Sequence, residues 1–382
     1  MGNPEEIGKK LNKIHKPKLD WKMLILLIIL IGFGIITAIL KNNILVNTLI
    51  YVIIGILLSI GMYFLDYRKI KKHSNLIYIV ATLIMIFPYI GFGKYINGIL
   101  YVSIFNITFS QAIVSVPLYL IAFIGWISNY DITKNIEIKI NEETFKINKD
   151  SIKIILLSLI SVILMLNMPS IVNGGILCLG YLIISISKII KYSKKKVIKL
   201  IKVLTPFGIM GLILIMTLIA EPYRLQRITV SFNPEKDPTG SGYVGTLQNK
   251  ILKNAKLFGE ADTKVISSDE FIISKESQYT FIYLVGKIGI VFSGILILTI
   301  ILISIKLILD AKNIKDQYGK LLIIGMGTLY IVQSIASILI NVNLMVQASV
   351  NLPFVSYGGV YFIINAFEFG LVFSVYKRKD VI

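Results

Sequence analysis

The chain has 382 residues, of which 55% are hydrophobic and 16% charged, with a formal net charge of +19 and a mean hydropathy of +0.77. A soluble domain of this length needs more charge than that to cover its surface. The basic residues fall in short segments between apolar runs, which excludes a nucleic-acid-binding face. The apolar runs are long enough to cross ~30 Å of hydrocarbon. Inside lipid every backbone polar group must be satisfied within the chain, and no barrel-type alternation of about ten residues is present, so the runs are helices. The expected fold class is an all-α polytopic membrane protein with about ten transmembrane helices and one large extracellular loop between spans seven and eight.

Residues 1–22 form a basic segment carrying Lys9, Lys10, Lys13, Lys16, Lys18 and Lys22. It leads into a full-length span with no small-residue cleavage site, so it does not read as a cleavable signal peptide. Residues 23–220 are expected to hold seven spans: Met23–Leu40, Leu45–Leu65, Leu76–Phe92, Ala112–Ser128, Ile152–Met168, Val172–Ile190 and Val203–Ala220. Residues 280–376 hold three more, near Phe281–Leu309, Leu321–Ile340 and Val360–Tyr376. The run from Phe281 is longer than one crossing, which predicts a tilted or projecting helix. Residues 377–382 are a basic tail.

Orientation follows from lysine and arginine in the short loops. Arg68, Lys69, Lys71 and Lys72 follow the second span, a lysine cluster at 191–199 follows the sixth, and Lys377, Arg378 and Lys379 follow the tenth. With ten spans these fall on one side, while the alternate loops carry only Lys41 and Lys94. Both termini are therefore expected to be cytoplasmic, in a multi-pass membrane protein. The loop 221–279, with eight basic and eight acidic residues, faces outward. Within it Leu247–Phe258 is weakly amphipathic and suits an interface.

Chemistry-bearing residues are few. One cysteine, Cys178, and two histidines, His15 and His73, exclude a disulfide, a Cys/His metal centre and a histidine-based catalytic site. No metal ligand set and no cofactor is expected, although a divalent cation accompanying a pyrophosphate is compatible with the chain. Of the ionisable residues inside spans, Lys287 and Lys306 lie near helix ends, where snorkelling suffices, and Glu368 is the third.

Two local patterns stand out. The first is Tyr223-Arg224-Leu225-Gln226-Arg227, followed by Asn233-Pro234, Asp237-Pro238 and Gly240-Ser241-Gly242-Tyr243. Arginines at i and i+3 offer forked donors to phosphate, and the same pair also suits plain headgroup anchoring. The second is Leu352-Pro353-Phe354-Val355-Ser356-Tyr357-Gly358-Gly359. Its proline and glycines break helix at membrane depth, where irregular backbone is tolerated only against protein or a water-filled cavity; a simple turn between spans is the plainer reading.

In this order the two patterns resemble the SEDS family (shape, elongation, division and sporulation; the RodA, FtsW and SpoVE type). The resemblance implies a glycan-strand polymerase of peptidoglycan synthesis. Its substrate would be lipid II, a polyprenyl-pyrophosphate-linked disaccharide pentapeptide, and its partner a class B penicillin-binding protein. It implies substrate contacts from Arg224, Arg227, Gly242, Tyr243, Gln248, Pro353, Ser356, Tyr357, Gly358 and Gly359. The family also places an aspartate in a Thr-Asp-Phe-Ile-like run about eleven residues before a glycine. Aligned on Gly289 without a gap, that run falls on Ser277-Gln278-Tyr279-Thr280, so the resemblance puts Gln278 at the catalytic acid position; a gapped alignment puts Thr280 there instead, which is no acid either. A glutamine amide takes up no proton at useful pH. Glu276, with Glu270 and Asp269, is the nearest substitute. Acids are likewise missing at Gln111 and Ser170. The expectation is therefore a SEDS-type protein of peptidoglycan synthesis that handles lipid II, as an active polymerase or, with the acid missing, as a non-catalytic accessory paralogue; a flippase for a polyprenyl-linked precursor is the alternative.

Overall fold

The computed structural model describes residues 20–41, 45–91, 93–96, 99–104, 107–130, 136–140, 143–147, 149–167, 171–189, 211, 222–261, 277–356 and 358–379. In chain order the helices are α1 (Trp21–Leu40), α2 (Leu45–Phe64), α3 (Tyr67–Lys72), α4 (Ser74–Ile86), α5 (Gln111–Asn129), α6 (Lys149–Asn167) and α7 (Ile171–Ile189). They continue with α8 (Pro222–Phe232), α9 (Tyr243–Asn254), α10 (Thr280–Ile288), α11 (Ile290–Asn313), α12 (Gln317–Asn341) and α13 (Gly359–Arg378). Six of these, α1, α2, α5, α11, α12 and α13, are long and apolar enough to cross a membrane, and three shorter apolar helices lie at 74–90, 152–165 and 172–188. The expected span at 203–220 lies, but for Gly211, outside the described residues.

The molecule is mostly helical but not wholly so. Strands β1 (Gly93–Ile96), β2 (Ile99–Ile104) and β3 (Ile107–Phe109) form an antiparallel meander before α5. Strands β4 (Ile136–Ile140) and β5 (Glu143–Ile147) form a hairpin before α6, with Ile138 opposite Phe145. The β-branched residues of these connections favour strands over loops.

Helix α12 is the central post, packed on α5, α7, α11 and α13. The closest pairing is α2 with α13, and small residues make it possible. A Cβ on Gly55 would lie 2.8 Å from the Phe362 ring, and one on Gly370 would lie 2.9 Å from the Ser59 backbone. Gly55 and Ser59 on one helix thus meet Ala366 and Gly370 on the other, each pair four residues apart. That is the small-residue spacing by which helices approach closely without water to drive them together. The outer faces of α2 and α11 expose large apolar side chains such as Leu57, Leu298 and Ile308, the surface a bilayer covers.

Acidic caps close helices at one end of the bundle. Asp20 accepts from the Met23 N–H at 3.0 Å, Asp66 from the Arg68 N–H at 3.0 Å, and Asp316 from the Gly319 N–H at 2.8 Å. Asp20 also pairs with Lys306 at 2.7 Å, which ties α1 to α11. Arg378 donates to the carbonyls of Tyr63 and Phe64, satisfying the open end of α2.

The run from Phe281 is not one tilted helix. It breaks at Gly289, whose φ of +89° is accessible to glycine and strained for other residues. The break is filled from the preceding loop: Ile290 and Val291 donate to the carbonyls of Lys256 and Leu257 at 3.0 and 3.1 Å. The orphan N–H groups at the start of α11 are thereby paired. The amphipathic stretch beginning at Leu247 does not lie free as an interfacial helix either. Leu247 and Ile251 of α9 are buried and the helix packs on α10.

Candidate functional site

The site is built where the segment between α12 and α13 meets the start of α10. Leu352–Ser356 folds around itself: the Leu352 N–H donates to Ser356 Oγ at 2.8 Å, and the Val355 and Ser356 N–H groups donate to the Leu352 carbonyl. The irregular backbone therefore carries its own partners, as burial demands. Phe354 holds a positive φ of +62° and drives its ring between Phe362 and Phe369 of α13, with edge contacts of 5.4 and 5.3 Å. Its carbonyl presses on α1 at Gly34, where a Cβ would come within 2.4 Å. Gly359 is covered by the Tyr51 ring of α2, 2.2 Å from where a Cβ would stand. A shallow cleft opens here, lined by Gly34, Thr48, Tyr51, Ser356, Gly358 and Gly359.

The turn that carries Gln278 approaches this segment through Ser277. Gln278 sits in a single 3₁₀ turn, Ser277–Tyr279, directly before α10, and its side chain is buried. Next to it Ser277 Oγ donates to Asn351 Oδ1 at 2.9 Å, and Gly358 lies against both Ser277 and Asn351. Asn341, at the end of α12, accepts from the Ile282 N–H at 3.0 Å and donates to the Gln278 carbonyl at 2.8 Å. One amide thus satisfies a free donor in the first turn of α10 and fixes the turn that carries Gln278. Further along α10, the Tyr283 hydroxyl donates to the Leu40 carbonyl at 3.1 Å, and the Lys41 ammonium lies 4.8 Å from the Tyr283 ring centre. Burial pushes the Lys41 ammonium down to about 8. Lys287 is paired with Glu260.

The outer helices of the 221–279 segment reach this region through Gln347. Its backbone N–H donates to Ser231 Oγ of α8 at 3.2 Å, and its side-chain amide donates to Gln248 of α9 and to Asn343, each at 2.9 Å. Asn343, at φ +58°, donates in turn to the Gly245 carbonyl and to Asn249. Arg224 and Arg227 lie on the α8 backbone one turn apart, the same side of that helix. Their side chains, together with Tyr357 and Glu276, lie outside the described residues.

Several residues that the resemblance marks for substrate are here occupied with holding the loop. Gly242 donates to the Asp237 carbonyl at 3.0 Å and a Cβ on it would sit 2.2 Å from the Pro234 carbonyl. Asp237 accepts from the N–H groups of Gly240 and Ser241 and from Ser241 Oγ, and these bonds hold its carboxyl below the usual range. Tyr243 opens α9, Gln248 is buried against Gln347, and Pro353 and Ser356 shape the 352–356 turn. The amides at Asn341, Asn343, Gln347 and Asn351 were not singled out by the sequence patterns. Their signal was present as a run of amides, three of them at four-residue intervals, between two apolar spans. Among the described residues no group of three or more His, Cys, Asp or Glu is placed to hold a metal ion.

Residues 20–380 match the family model for FtsW, RodA and SpoVE, described as cell cycle proteins. The chain belongs to that family. It is 25% identical over 319 residues to the probable peptidoglycan glycosyltransferase FtsW of Wigglesworthia glossinidia brevipalpis, covering 82% of this chain and 78% of that protein. With the Enterococcus hirae protein of the same description it shares 28% identity over 153 residues, 40% of this chain and 38% of the relative. Much of that relative's length therefore lies outside the match. In fold it resembles a chain from a peptidoglycan synthase complex described as coordinating polymerization and crosslinking, with a TM-score of 0.73 at 17% identity over 94% of this chain and 98% of that one. It also resembles the rod shape determining protein RodA of Thermus thermophilus, at TM-score 0.65 and 16% identity over 94% and 97%. This is a membrane protein of the FtsW/RodA family of peptidoglycan glycosyltransferase homologues.

Proposed function

We propose that this protein binds lipid II, or a related polyprenyl-pyrophosphate glycan, at the cleft beside residues 352–359, and that it is an accessory member that does not itself polymerise glycan. In this reading it has about ten spans, sits in the bacterial plasma membrane with both termini cytoplasmic, and turns the cleft outward. Arg224 and Arg227 contact the pyrophosphate, and a class B penicillin-binding protein is its partner in division, elongation or sporulation. Glycosyl transfer needs a base to take the proton of the attacking sugar hydroxyl and cations to stabilise the leaving pyrophosphate. The observation that carries the reading is Gln278. It follows Ser277, whose hydroxyl bonds Asn351, and the family resemblance, aligned without a gap, expects an acid at its position; an amide supplies no base.

The experiment is polymerisation of purified lipid II by the full chain with its transpeptidase partner, alongside direct measurement of lipid II binding. The expected result is binding without glycan product, and product once Gln278→Asp restores the acid. Robust product from the unmodified chain that survives removal of Glu276, Glu270 and Asp269 overturns the accessory reading. Transport of the lipid across reconstituted vesicles, with no polymer formed by either version, would favour the flippase alternative instead.

A further inference from the structure

We propose that Glu368 is an intramembrane proton-binding site, a carboxyl that keeps its proton at neutral pH in the seam between α13 and its neighbours. Glu368 lies halfway along α13 and is 1% exposed. Its Oε2 has no hydrogen-bond partner among the described residues. An edge contact between Phe369 and Tyr330, with ring centres 5.4 Å apart, places this part of α13 beside the middle of α12.

Among the described residues no cation reaches that level. Helix α13 packs against α2, α3, α5 and α12. Helices α2 and α5 contain no charged residue at all. The basic residue of α12, Lys320, precedes Tyr330 by ten positions, about 15 Å of helix. Lys377 and Arg378 follow Glu368 by nine and ten positions, about 14 Å away. Arg378 is spent on the Tyr63 and Phe64 carbonyls and lies 3.9 Å from Asp66, and the basic turn α3 sits beside that same aspartate. The segment 203–220, of which only Gly211 is described, carries no charged residue in its sequence. Among the described residues the titratable groups left near Glu368 are the hydroxyls of Tyr330 and Tyr361. An ionised carboxylate buried without a partner is so costly that the group takes up a proton instead.

The carboxyl is not isolated from polar chemistry. Tyr361 and Asn365, seven and three residues earlier, are buried on the same helix, and Asn365 donates to the Tyr361 carbonyl at 2.9 Å. The Tyr361 hydroxyl bonds Gln333 of α12 and donates to the Asn351 carbonyl at 2.7 Å. A polar stripe therefore runs from the 351–359 segment down to Glu368. Loss of the proton leaves a bare charge in the seam and draws water or a cation between the helices. The proton thus helps hold α13, which begins at Gly359, in its packed position. Ionisable groups at such depth mark function in membrane bundles. This inference is independent of the lipid reading.

The test uses the full chain in lipid nanodiscs. Infrared spectroscopy at neutral pH is expected to show a protonated-carboxyl band that is lost in Glu368→Gln and retained, shifted, in Glu368→Asp. Dicyclohexylcarbodiimide, which reacts with protonated carboxyls in lipid, is expected to label Glu368 in the unmodified chain, and sodium is expected to leave the labelling unchanged. That measurement needs no variant to fold. Absence of both the band and the label overturns the proposal. Saturable protection by sodium also overturns it, since it would make the site one for a cation.

Discussion

Asn341 holds Gln278 by its backbone, donating to the Gln278 carbonyl at 2.8 Å while its other amide atom accepts from Ile282 two residues into α10. The side chain of Asn341 is fully buried and donates as well to the Ser337 carbonyl at 2.7 Å. Asn341→Leu keeps the bulk and strips all three bonds, taking from the buried Ile282 N–H its acceptor. The expected loss is about 2–4 kcal/mol of stability. Thermal unfolding in nanodiscs measures it, and a midpoint equal to the unmodified chain would show the clamp to be dispensable.

Gly34 and Gly32 sit two residues apart on α1 and are predicted to respond in opposite directions. A Cβ at Gly34 meets the Phe354 carbonyl at 2.4 Å, so Gly34→Ala pushes the 352–356 turn off α1 at a cost of roughly 1–3 kcal/mol. A Cβ at Gly32 meets nothing within 4 Å. Gly32→Ala is expected to be neutral or to stabilise the helix by up to about 1 kcal/mol. The pair of melting curves decides whether close approach, rather than helix propensity, is why Gly34 is a glycine.

Asp237 gives a pH signature to the turn before α9. Its carboxyl is held below the ordinary value of 3.8 by hydrogen bonds from Ser241 and Gly240. A depressed carboxyl lends stability that is present above that value and lost as pH falls through the lower, folded value. Amide exchange at Gly240 and Ser241, corrected for the intrinsic rate, should lose protection on acidification. In Asp237→Asn the protection should be weaker and flat with pH.

Lys41 is predicted to run the other way. Burial brings its ammonium from 10.5 down to about 8. Below about 8 the folded chain bears the full cost of burying the charge. Between about 8 and 10.5 the unfolded chain holds the extra proton, so stability should rise with pH across that window. Lys41→Met should flatten the rise and lift the melting midpoint at neutral pH. A midpoint that falls in Lys41→Met would mean that the contact with Tyr283 outweighs the burial cost.

Lys287 shows how a sequence reading narrows in three dimensions. Near the end of an expected span it reads as a side chain that snorkels to the interface. Its ion pair with Glu260 exists because Gly289 breaks the helix and lets the 255–261 segment return along it. The glycine was visible; the returning strand of loop was not. Gln278 was found only through the family pattern, whereas Ser277, Asn341 and Asn351 around it were missed, since a buried amide in an apolar chain has no periodicity to announce it.

The sequence by itself determined the class of the protein: long apolar runs must be helices in lipid, and their bounds in α1, α2, α5 and α13 were readable to within a few residues. It also determined the two motifs and the family they resemble. Tertiary structure alone decided what those motifs touch. Gln278 and Asn341 are 63 residues apart in sequence, and Ser277 and Asn351 are 74 apart. In a bundle whose lipid face and core are equally apolar, composition cannot say which side of a helix turns inward. Small residues and buried amides settle that, and they act only once the helices are packed.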